Sequence, residues 1–188
     1  MEPDSNFSDK LLHNARAHLS AAHALTMRDQ VDARAFLGPT LLLLGFGIEV
    51  MLKTVLLHHG VCPNKLGQKP YGHDIWAMWN CPQMEAFRNK AHQLLRPEYQ
   101  LLNNTFTSPR ERSQTDPTFH PKLHRVVPAP ETFERDLECL SKLHSGASNF
   151  ALRYPVERVQ VPDPMLLVAV FEALADCLEN PCEIVPLP

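Results

Sequence analysis

Gly47-Ile48-Glu49-Val50-Met51-Leu52-Lys53 lies in the most apolar run of the chain, and Gly72-His73-Asp74-Ile75-Trp76 follows it across a loop punctuated by glycine and proline. The run reads as one helix, Thr40 to His59, with Gly38-Pro39 at its first turn and Gly60 just past its end, the usual asymmetry of proline at the start and glycine at the stop. Glu49 and Lys53 stand one turn apart inside it, acid first, the better orientation for a helical ion pair. In an apolar setting each offsets the desolvation of the other, so the helix is predicted to be buried and to carry a polar seam. His73-Asp74 reads as the opening of a short helix, about His73 to Trp79, with the imidazole at an N-terminal mouth where backbone N–H groups favour anions.

Outward from this core, helices are the only elements that the pattern supports. Leu11, Leu12, Ala15, Leu19, Ala22 and Leu25 recur at helical spacing in a first amphipathic helix, Asp9 to Arg28, after Ser8. A helix follows Pro82 and runs to about Leu95. Residues 103–130 are rich in proline, Ser, Thr and Asn, with few periodic apolar positions, and read as a long irregular insertion. Thr132 is a candidate cap for a helix whose stripe is Phe133, Leu137, Leu140, His144, Ala147 and Ala151. Asp163-Pro164 supplies an N-cap and a first-turn proline for the last helix, Met165 to Leu178. No alternating β pattern and no internal repeat competes. The expected fold is therefore all-α, an antiparallel four- or five-helix bundle in one domain, 1–188, with the insertion outside it.

The chain has 188 residues with 44% apolar composition, enough for one substantial core, and a formal charge of -3 that provides no overall basic field. Its five cysteines form no CxxC pair and no secretory signal precedes them, which points to a reducing, cytoplasmic setting. Pro39 to Leu57 approaches the length of a membrane span, but Glu49 and Lys53 would each cost ~2.5–3.5 kcal/mol near a bilayer centre. The segment reads as the central helix of a soluble bundle, and no membrane partner is expected.

Taken in order, Gly47-Ile48-Glu49-Val50-Met51-Leu52-Lys53, the helix-ending Gly60, the Gly72-His73-Asp74 turn and Arg153-Tyr154-Pro155 after a late helix make the chain resemble the HEPN family of small helical-bundle proteins. The resemblance implies an antiparallel bundle, often a homodimer, associated with RNA cleavage, with RNA or nucleotide binding, or with a nucleotidyltransferase partner. Nuclease members carry an Arg followed after four to six residues by a His on a late helix, and need no metal. This chain lacks that motif there. Its one pair at that spacing, Arg16 and His23, falls on the first helix, and His144 and Arg153 come in reversed order. Cleavage by 2′-OH attack needs a base near the hydroxyl and a cation near the phosphate, roles that His and Arg supply.

The candidate ligand-binding or structural seam is Glu49, Lys53, His73, Asp74, His144, Arg153 and Tyr154. His73 beside Lys53 can contact a phosphate, or it can bond Glu49 and lock two helices together. Arg153 can grip a phosphate or pair with an acid, and Tyr154 packs more often than it reacts. No metal or cofactor is expected: His13, His18 and His23 rotate around a helix, His120 and His124 sit in the insertion, and no HExxH, Walker loop, GxGxxG or GxSxG is present. Arg110, Arg112, Lys122, His124 and Arg125 with Phe106 and Phe119 can meet single-stranded RNA, or can form a solvated loop. Two functions stay open at this point. One is a non-catalytic binding or assembly module for RNA, a nucleotide or a partner protein; the other is a metal-independent endoribonuclease with a rearranged Arg/His site.

Overall fold

A computed structural model describes residues 5–27, 33–105, 130–145 and 161–179. Among them are six α-helices and no strand: α1 Ser5–Thr26, α2 Ala33–His58, α3 Ile75–Trp79, α4 Glu85–Thr105, α5 Pro130–His144 and α6 Pro164–Leu178. Five are long and α3 is a single short piece, so the all-α bundle is as expected. Arg153 and Tyr154, with Ala147 and Ala151, lie outside the described residues.

The apolar run forms the centre of the bundle. Leu44, Ile48, Met51, Leu52, Val55 and Leu56 of α2 are fully buried. α2 is long and apolar enough to cross a membrane, yet 72% of that window is covered by the chain itself, which explains why it is hydrophobic almost all round. Ala15, Leu19 and Ala22 of α1 pack into the same core. Ser8 bonds His58 across the α1–α2 pair, and Arg16 and His23 reach successively earlier positions of α6. α1 thus runs antiparallel to both neighbours. On the far side Trp79 is the hub, its ring centroid 6.2 Å from Phe87, 5.8 Å from Phe133 and 6.0 Å from Phe171. One aromatic from each of α3, α4, α5 and α6 meets there.

Helix ends agree with the sequence where capping chemistry is specific. Asp163 caps α6 by accepting from the Met165 N–H at 3.0 Å, with Pro164 in the first turn. α2 closes in a Schellman turn: Gly60 has φ +78°, its N–H bonds Leu57 O, and the Val61 N–H bonds Leu56 O. Four boundaries differ. α2 begins at Ala33, so Pro39 lies within it and costs one backbone hydrogen bond; Gly38, lacking a Cβ, relieves the crowding a proline imposes on the residue before it. α1 begins at Ser5 and encloses Ser8, which is buried against His58 instead of preceding the helix. Thr132 lies within α5, which opens at Pro130. α4 continues past Leu95 to Thr105, so 103–105 close a helix and do not start an irregular segment; residues 106–129 lie outside the described set.

Candidate functional site

Glu49 sits on the face of α2 that looks toward α5 and toward the turn before α3. Its carboxylate is buried and collects three nitrogen donors. Lys53 Nζ donates to Oε1 at 2.6 Å, His144 Nε2 to Oε2 at 2.6 Å, and His73 Nδ1 lies 3.0 Å from Oε1 and 3.1 Å from Oε2. The four side chains come from α2, the Gly72-His73-Asp74 turn and the last residue of α5. Glu49 therefore ties three elements to one carboxylate.

Burial alone would raise the Glu49 pKa. The hydrogen bond from His144, then those from Lys53 and its charge, then that from His73 outweigh it and lower the value from 4.5 to about 2. Such a carboxylate only accepts, so the network assigns protons to His144 Nε2 and His73 Nδ1. The two imidazoles differ in access: the His144 side chain is 3% exposed and that of His73 is 67% exposed.

Room for His144 comes from Gly45, one turn before Glu49. A Cβ there would lie 2.5 Å from His144 Nδ1, so only glycine lets the ring enter beside the carboxylate. Phe46 supplies an edge-to-face contact at 5.0 Å. His144 Nδ1 is buried and has no hydrogen-bond partner among the described residues.

Asp74 does not belong to the carboxylate cluster. It is the N-cap of α3, its Oδ1 accepting from the Ala77 N–H at 2.9 Å and from Ser141 Oγ at 3.1 Å, while Ser141 Oγ also accepts from the Trp76 N–H at 2.9 Å. The α3 mouth is thus filled by the chain's own carboxylate and hydroxyl, and His73 stands outside the helix and bonds Glu49, the second of the two roles open to it. Ser141, buried on α5 three residues before His144, is the member that the sequence reading missed. Its signal was present: two polar residues at i,i+3 on one apolar stripe require partners on another element.

The Arg16–His23 pair meets a different environment. Arg16 binds Asp176 at 3.1 Å, Glu179 at 3.0 Å and the Ala175 carbonyl at 2.9 Å, capping the C-terminal end of α6, and His23 Nδ1 lies 2.8 Å from Glu172 Oε2. The Arg16 guanidinium is thus held by two carboxylates, and Glu172 lines the same groove beside Asp176, a field that repels phosphate.

Comparison with protein-family models, with curated proteins and with solved structures gives no match for this chain. Its function is therefore argued from the residues and their geometry.

Proposed function

We propose that the chain is a HEPN-like, non-catalytic binding or assembly module, working as a dimer that contacts RNA, a nucleotide or a partner protein. The observation that supports this reading is the occupation of the Glu49 carboxylate by its neighbours. Glu49 is saturated by Lys53, His73 and His144. A general base must reach the proton it takes, and His144 is closed off from any substrate hydroxyl. The Arg–His pair with nuclease-like spacing has its cation paired with acids at the C-terminal end of α6, Asp176 and Glu179. The cluster acts as a lock that sets the relative positions of α2, α3 and α5 and leaves the outer surfaces for binding.

The test is RNA cleavage by the purified full chain in EDTA, beside Arg16→Ala and Arg153→Ala variants. No cleavage above buffer is expected from any of the three. Cleavage by the unmodified chain that either substitution abolishes, with the helical signal retained, would assign it to the nuclease class instead. RNA bound without cleavage should weaken with added salt, as counterion release requires.

A further inference from the structure

We propose that Glu49, His73 and His144 form a binding site for one divalent transition-metal ion of the zinc or cobalt type. The site goes beyond the module reading and does not rest on it. Three potential donor atoms, a carboxylate oxygen and one nitrogen from each imidazole, lie within 4.8 Å of one another. They come from three separate elements, so the convergence is a product of the fold and not of local sequence. Two imidazoles with one carboxylate make a donor set suited to zinc or cobalt, whereas magnesium and calcium prefer oxygen alone.

The positions around the carboxylate point the same way. His73 Nδ1 is nearly equidistant from both Glu49 oxygens, facing the fork instead of following a single lone pair. The fold aims His144 Nε2 at the same carboxylate, 2.6 Å from Oε2, from a ring that is 3% exposed, so this donor is already positioned. On binding, His73 Nδ1 and His144 Nε2 coordinate as neutral imidazole nitrogens. Each ring then carries its proton on the other nitrogen, Nε2 of His73 and Nδ1 of His144, so no net proton is released by the two imidazoles. Lys53 keeps Oε1 and leaves Oε2 to the ion. The exposed side of His73 gives solvent access to the remaining coordination positions.

Lys53 makes the proposal separable from a purely structural cluster. Its ammonium repels a cation, so Lys53→Met should tighten metal binding even as it removes an ion pair. The experiment is a titration of the full chain with cobalt(II), read by visible ligand-field absorption and by equilibrium dialysis, followed by displacement with zinc. One cobalt per chain is expected. His73→Ala should weaken binding by more than about tenfold, the least that loss of even an outer-sphere partner costs, and should abolish the absorption bands with the circular dichroism unchanged. His73 is mostly exposed, so this variant keeps its fold, and His23→Ala serves as the control that leaves binding intact. Absence of stoichiometric cobalt, or binding that His73→Ala leaves unaltered, would overturn the site.

Discussion

At the residue scale, the Glu49 carboxylate governs the behaviour of the site. Glu49→Ala strands two nitrogen-bearing side chains that are mostly or wholly buried, Lys53 and His144, and is expected to destabilise the fold by ~3–5 kcal/mol in urea denaturation. Gly45→Ala tests the access route of the imidazole. The added methyl overlaps His144 Nδ1 and should cost ~1–3 kcal/mol, as overpacking does. Acid titration gives a third handle. A carboxyl whose folded pKa lies below its unfolded value stabilises the fold above the unfolded pKa, and that contribution disappears as pH falls from 4.5 toward 2. For a pKa lowered from 4.5 to about 2 the loss is on the order of 3 kcal/mol. In EDTA, the drop in stability across that window should be shallower in Glu49→Gln than in the unmodified protein. Equal slopes would show that the carboxylate is not held as described.

At the scale of the element, caps and crossings divide the work. Ser141 serves α3 twice, accepting from Trp76 and donating to Asp74, so Ser141→Ala should cost ~1–3 kcal/mol by removing two part-buried hydrogen bonds. Asp163→Ala removes a single N-cap bond and should cost about 1 kcal/mol. Thermal or urea unfolding of the two variants orders them. Much of this architecture was legible in the sequence. The stripes of α1 and α5, the apolar α2, the Asp163-Pro164 start and the Gly60 stop each follow from periodicity or from a residue with one dominant use. Pro39, Ser8 and Thr132 were misread because their types suit both a boundary and an interior. Proline costs one hydrogen bond, which a long packed helix absorbs, and a hydroxyl can bond across to another helix as readily as it caps its own. The Glu49–Lys53 pair was legible because i,i+4 spacing fixes it locally. Periodicity placed His144 on the buried stripe of α5 but could not name its partner, since it fixes a face and not what that face meets. Gly45 at i,i+4 to Glu49 was the available hint that something bulky enters there.

At the scale of the whole molecule, two hubs hold the bundle. The apolar hub joins α3, α4, α5 and α6 around Trp79, and the polar hub joins α2, the turn before α3 and α5 around Glu49. Both involve α5, so the two should unfold together and the bundle should behave as one cooperative unit. Coincident denaturation curves from tryptophan fluorescence and circular dichroism would bear this out, and separate transitions would speak against it. The central claim is that the acid–base groups of the seam are committed to one another as a structural lock. A double-mutant cycle on Glu49→Ala and His144→Ala in urea, with metal removed, tests it most directly. The account predicts a coupling of roughly 1–3 kcal/mol between the two substitutions, with the double variant less damaged than the sum of the singles. Additivity within about 0.5 kcal/mol would mean that the two groups do not act on each other and would contradict it.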